Sequence, residues 1–159
     1  MLLLSFHIGS ERYAVSAKQI IEILPLTSIK RIPRAPAYVA GLLDYRGLPV
    51  PVIDLCQLIN EQDCSKVLSS RIILINYKAG DGKVHPLGLI AEKVTETLNI
   101  AEEHFTSSGI SMEGMAYLGG VAKNNGSMVQ YIEIDELLSN ELQTMLFVDN
   151  SERRQASNQ

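Results

Sequence analysis

The chain has 159 residues, 46% of them hydrophobic and 20% charged, and a formal net charge of −4 at pH 7. That is enough apolar material for one sizeable core or two small ones, and it excludes a disordered chain. A pI near 5.4 gives no global basic field, so nucleic acid is excluded as a main partner, and no apolar run approaches the roughly 18 residues of a membrane span.

The opening MLLLSFHIG has no basic flank and no small-residue cleavage site, so it reads as a strand and not a leader. Leu2, Leu4, Phe6 and Ile8 alternate with Leu3, Ser5 and His7, the period of a strand. Gly9-Ser10 offers a turn before Tyr13-Ala14-Val15, and Ser16 is placed to cap a short helical turn through Lys18 and Gln19. Ile20 to Leu24 is extended again and stops at Pro25. SIKRIPRAPAYVAG, with two prolines and three cations, predicts an irregular connector with a turn near Tyr38.

GLLDYRGLPVPVIDL follows, a strand pair with Arg46-Gly47 at its corner. Pro49 and Pro51 are two apart, so both missing donors fall on one edge, which predicts an edge strand or a strand beside a bulge. Asp54-Leu55 opens a short helical segment to about Ile59, and the polar residues 60–70 are the candidate boundary between two halves. Arg71 to Ile75 reads as a strand covered on both faces, Asp81-Gly82 as a turn, and Leu87 to Ala91 and Val94 to Ile100 as further strands. Residues 103–116 are irregular. Leu118 to Ala122 and Met128 to Ile134 form a hairpin around Asn125-Gly126, a pair that tolerates positive φ. Asn125-Gly126-Ser127 also matches a glycosylation sequon, which here is read as a turn. Asp135 caps a helix over 135–147 with Leu138, Leu142, Met145 and Leu146 as its stripe, and 149–159 is a polar, flexible tail.

Gly41 and Gly120 each begin a strand, turn, strand and acidic helix start, a weak internal echo that suggests two similar β units. Many short strands joined by turns favour an all-β barrel or sandwich.

No metal, phosphate-binding or nucleophile motif is present, and His7, His85 and His104 are far apart. The chain therefore reads as no enzyme, with no cofactor. Cys56 and Cys64 are expected as reduced, inert thiols, a disulfide or metal site being the lesser alternative. What remains is surface: Ile20, Ile23, Ile29, Ile32, Tyr38 and Leu42 with Lys30, Arg31, Arg34 and Arg46 around them have the composition of a binding face. The competing reading puts every isoleucine in the core and pairs Arg46 with Asp44 or Glu22. A small-molecule carrier or sensor barrel is the alternative function, and it needs an unfilled interior.

GLLDYRGLPVPVIDL closely resembles the signature of the CheW-like family of bacterial chemotaxis coupling proteins. FHIGSERYAVSAKQIIEIL, IKRIPRAPAYVAG, HPLGLIAEKVTE and YLGGVAKNNGSMVQYIEIDELL resemble its other segments, so the likeness spans roughly residues 1–146. It implies one CheW-like domain over 1–148, made of two small five-stranded SH3-like barrels packed together. The first covers about 12–62 and the second about 66–134, with terminal segments free to cross over. It further implies a non-catalytic, cytoplasmic scaffold without direct membrane contact, recruited to receptor arrays. Its partners would be the cytoplasmic tip of chemoreceptors, the regulatory domain of a CheA-type histidine autokinase and other proteins of the same family.

The resemblance carries the turn arginine onto Arg46, the receptor-facing apolar and acidic positions onto Ile20 and Glu22, and a surface glycine onto Gly41; Ile29 and Leu42 complete the expected face. Asp44-Tyr45 replaces the usual Asn-Leu, and Glu92 stands where aspartate is common. The pattern is similar to divergent couplers of surface-sensing type pathways.

Overall fold

The computed structural model describes residues 1–65, 69–107, 109 and 114–147. Strands dominate: β1 (Leu2–Ile8), β2 (Glu11–Ser16), β3 (Ile20–Pro25), β4 (Val39–Tyr45), β5 (Leu48–Asp54), β6 (Arg71–Lys78), β7 (Val84–Asn99), β8 (Leu118–Asn124) and β9 (Ser127–Ile132). Two short helices, α1 (Leu55–Asn60) and α2 (Asn140–Leu146), complete the fold.

The ladders sort these strands into two five-stranded units that share β7. One runs β3, β6, the first part of β7, β5 and β4. The other runs the second part of β7, β1, β2, β9 and β8. Each unit has one parallel pair, β5 with β7 and β2 with β9. Neither ladder closes strand to strand. Instead the chain after β3 bridges β4 at Lys30 and Leu42, and the chain after β7 bridges β8 at Thr106 and Val121. The internal echo is structural. Asp54 N–H donates to the Tyr38 carbonyl at 2.8 Å and Glu133 N–H to the Tyr117 carbonyl at 2.8 Å. The corners also match, with Arg46 at φ 53 and Gly47 at 83 against Asn125 at 52 and Gly126 at 81.

The polar stretch 60–70 does not separate the units. β6, beyond it, pairs with β3 before it, while β1 and β2 cross to the C-terminal strands. The physical reason is burial: β1 is covered on both faces, Leu4, Phe6 and Ile8 joining the main core and Leu3 a second cluster with Ala14, Ile100, Ala122 and Val129. Ile72 to Ile75 are likewise fully buried, as expected of a strand covered on both sides. β7 is one continuous strand, redirected at Lys93 with φ 47, where two strands were expected.

β5 is flanked on both sides, not an edge strand. Its proline half is paired to β4 alone, and the β7 ladder begins at Val52, just past Pro51, where N–H groups are available again. The expected bulge lies opposite, between Val39 and Gly41. Ser16 caps its turn by accepting from Lys18 N–H at 3.3 Å.

The C-terminal helix is shorter than the expected 135–147. A 3-10 turn spans Ile134–Glu136, and α2 starts only after Ser139, whose Oγ accepts from Leu142 N–H at 3.2 Å. Leu137 and Leu138, at the break, are both buried. Met145 is 47% exposed and leaves the stripe to Leu138, Leu142 and Leu146. The tail at 149–159 lies outside the described residues.

Cys56 and Cys64 form a disulfide, correcting the expectation of free thiols. The Asp54 carboxylate caps α1, accepting from Cys56 and Gln57 at 2.9 and 3.1 Å, and its other oxygen accepts from Cys64 N–H at 3.3 Å. Glu61, left-handed at φ 58, reverses the chain after α1. Together they set the two cysteine Cα atoms 5.1 Å apart, within disulfide reach.

Candidate functional site

The β4–β5 hairpin ends in Arg46 and Gly47, both with positive φ, the geometry of a type I′ turn whose twist matches its strands. Asp44 Oδ1 accepts from Gly47 N–H at 2.8 Å and so secures the turn; it makes no ion pair with Arg46. The guanidinium instead lies 3.8 Å from Glu22 Oε2 and 5.1 Å from the Tyr45 ring centroid, a cation–π contact. Its side chain is 78% exposed. Tyr45 donates its hydroxyl to Glu22 Oε2 at 2.7 Å, and this hydrogen bond is the main cause that raises the phenol's pKa. The ring thus remains a donor at neutral pH. Among the described residues the guanidinium makes no hydrogen bond, so its fork of donors faces solvent.

Ile20 and Glu22 stand two apart on β3, either side of a register shift, opposite Ile75 and Leu74. Ile20 is half-buried against the core, whereas Ile21 and Ile23 are each 43% exposed. Ile29 is half-buried against the core, as are Ile32 and Tyr38. Leu42 is half-buried and turned away from Leu43, which is buried. Lys30, Arg31, Arg34 and Arg46 are all exposed. The isoleucines are therefore neither all core nor all surface.

Gly41 is buried, and its close approach is to its own chain. A Cβ there would lie 2.1 Å from the Lys30 carbonyl oxygen, where Lys30 and Leu42 exchange hydrogen bonds of 2.9 and 2.7 Å. Its φ of 141 is one that side chains rarely adopt.

The structure thus brings Glu22, Tyr45 and Arg46 into direct contact, and separately joins Ile29, Lys30, Gly41 and Leu42. Beside the latter group a cavity of about 480 Å³ is lined by Leu26, Ile29, Arg31, Asp54, Cys64 and Ile90 among others. Reading the sequence did not give Tyr45 its role as the partner of Glu22, because nothing local links residues on different strands. Asp54, Cys56 and Cys64 bring possible metal-ligand atoms within 4.8 Å of one another, but the two sulfurs are bonded to each other and offer no thiolate. Glu92 holds two loops, accepting from Gly9 and Ser65 N–H at 3.2 Å each. No helix among the described residues is long and apolar enough to cross a membrane.

The family model for the CheW-like domain matches residues 2–142. The chain is 27% identical over 149 residues to a chemotaxis protein CheW of Klebsiella aerogenes, covering 92% of this chain and 86% of that one. It is also 27% identical over 151 residues to a chemotaxis protein CheW of Treponema pallidum, covering 90% and 85%. Among solved structures, the scaffolding protein TtCheW of Thermoanaerobacter tengcongensis superposes with a TM-score of 0.76, at 26% identity over 87% of each chain.

Proposed function

The chain belongs to the CheW-like domain family, and on that premise we propose that it is a non-catalytic cytoplasmic adaptor. In this reading it couples the cytoplasmic tips of transmembrane chemoreceptors to the regulatory domain of a CheA-type histidine autokinase. The observation that carries this reading is the family match over residues 2–142, which leaves no room for a separate catalytic domain within the matched span.

The surface supports it. Arg46 is an exposed cation whose loose pair with Glu22 leaves several donors for carboxylates or carbonyls of a partner helix. Ile20, Ile29 and Leu42 are half-buried and offer apolar anchorage, and Glu22 the acidic position. Gly41 contributes by letting Lys30 pack on β4, which shapes the surface from behind. The carrier reading is not favoured by the interior, where Ile72 to Ile75, Leu87 and Leu89 are packed to zero exposure.

The test is calorimetric titration of the chain with an isolated kinase regulatory domain and, separately, with a receptor-tip helical hairpin. A dissociation constant on the order of micromolar or below for both supports the adaptor reading, since modest interfaces suit reversible assemblies. Binding to neither removes it.

A further inference from the structure

We infer that Cys56 and Cys64 form a reversible thiol–disulfide site that sets one wall of the cavity beside the β3–β4 connector. Cys64 lines that cavity together with Asp54 and Asp63, facing Leu26, Ile29 and Ala37 from the connector. Cys56 sits behind it in α1. Cys64, 8% exposed against 3% for Cys56, is therefore the sulfur nearer the cavity and the one a small thiol would attack, with Cys56 the sulfur that leaves.

The surroundings suit both oxidation states. In the disulfide neither sulfur carries a hydrogen. Glu92 Oε1 lies 3.5 Å from Cys56 Sγ, and the Ile90 carbonyl oxygen lies 3.6 Å from Cys64 Sγ. After reduction each thiol has an acceptor already in place. The covalent link also holds a stretch with few other ties. Among the described residues, the chain between α1 and Ser65 is fastened through Cys64 N–H to Asp54, Ser65 N–H to Glu92, Gln57 to Asp63 at 2.8 Å and Ser70 Oγ to the Ser65 carbonyl at 2.6 Å. When the bond opens, the sulfurs separate to non-bonded contact, and the stretch around Cys64 loses its covalent tie at the cavity wall.

The step balances as ordinary exchange. A thiolate of a dithiol reductant attacks Cys64 Sγ, forming a mixed disulfide while the bond to Cys56 Sγ breaks. The second sulfur of the reductant then displaces Cys64 Sγ. Two electrons pass from the dithiol, which becomes a disulfide, and the two protein thiolates take up protons from solvent. The inference rests on the adaptor reading only for its compartment: disulfides in a reducing cytoplasm are usually transient and redox-sensing.

The purified chain is equilibrated in buffers of graded reduced-to-oxidised dithiothreitol, thiols are counted by maleimide labelling, and the fold is followed by circular dichroism. A single two-electron transition with the fold retained is expected. Free thiols throughout the oxidising buffers, or opening only on unfolding, overturns the proposal. Amide exchange at Cys64 and Ser65 is expected to be at least about tenfold faster in the reduced chain, and equal rates overturn the link to the cavity wall. Cys56→Ser and Cys64→Ser are each expected to exchange at the reduced rate in both buffers. A variant that still responds to the buffer overturns the assignment, and so do two variants that fail to fold, since the reduced state would then not be native. Absence of kinase-domain binding in either redox state strikes the adaptor reading alone.

Discussion

Tyr45 donates its phenolic hydrogen to Glu22 Oε2 at 2.7 Å, whereas Arg46 approaches the same oxygen only to 3.8 Å. The pair at the hairpin corner is therefore loose. It orients the guanidinium over the Tyr45 ring without closing its donors.

Arg46→Glu is expected to weaken binding to the kinase regulatory domain or the receptor tip by at least about tenfold, because it places a like charge beside Glu22 and removes the donor fork. The melting temperature should move little, since an exposed ion pair adds little to stability. Arg46→Lys keeps the charge and loses the fork, so an intermediate affinity is expected. Calorimetric titration beside a thermal melt reads both quantities. Affinity unchanged in Arg46→Glu takes Arg46 out of the interface.

Gly41 and Gly47 separate two reasons for a glycine. Both have positive φ, but a Cβ at Gly41 would meet the Lys30 carbonyl at 2.1 Å, whereas nothing lies within 4 Å of one at Gly47. Gly47→Ala is expected to cost only the left-handed strain, about 1–2 kcal/mol. Gly41→Ala adds a backbone clash and is expected to cost more than about 3 kcal/mol. Urea denaturation of both variants makes the comparison, and equal losses would show that the Lys30 bridge yields to a methyl group.

Tyr77 ties the C-terminal segment to β6. Its fully buried hydroxyl donates to the Asp135 carbonyl at 2.9 Å and accepts from Leu138 N–H at 3.3 Å and from Gln143 Nε2 at 3.4 Å. Tyr77→Phe keeps the ring volume and leaves the buried Leu138 donor unpaired, which is expected to cost about 1–3 kcal/mol. Amide exchange should quicken at Leu138 and through α2 more than at Ile72 to Ile75. A uniform change across both regions would assign the hydroxyl to global stability alone.

What was legible in the sequence was local. The alternation of Leu2 to Ile8, the Asp54 cap, the Ser16 cap and the corners at Arg46-Gly47 and Asn125-Gly126 all depend on residues within a few positions of each other, where turn and cap chemistry acts. The echo between Gly41 and Gly120 also survived, because both units repeat the same close approach, to Lys30 in one and to Thr106 in the other. The disulfide was not legible, because the return of Cys64 depends on Glu61 adopting φ 58, a conformation for which glutamate carries no signal. The crossing of β1 and β2 to the C-terminal strands was expected only through the family resemblance, since it is decided by which long-range ladder buries both faces of β1. At the candidate site the charged corner could be read, but not which acid would meet it. Asp44 and Glu22 are equally plausible on composition, and only the turn's own demand for an acceptor at Gly47 N–H removes Asp44.

His7 makes stability depend on pH with a definite sign. It lies on β1 opposite Arg12 of β2 and Glu92 of β7, and its Nδ1 is buried with no hydrogen-bond partner among the described residues. Burial is the main cause that lowers its pKa below 6.5, helped by Lys93 and Arg12 and opposed by Glu96 and Glu92. The folded ring is thus neutral over a range where the unfolded ring is already protonated. In that window the unfolded state binds more protons, so stability rises with pH. The contribution is complete above the unfolded value of 6.5 and is lost as pH falls toward the lowered folded value. His7→Gln removes the titration while keeping a polar side chain of similar reach. Urea midpoints at about pH 7.5 and about pH 5.5 should therefore fall further for the native chain than for His7→Gln, the carboxylates common to both cancelling in the comparison. Equal falls in the two proteins would mean that the ring takes up its proton as readily folded as unfolded.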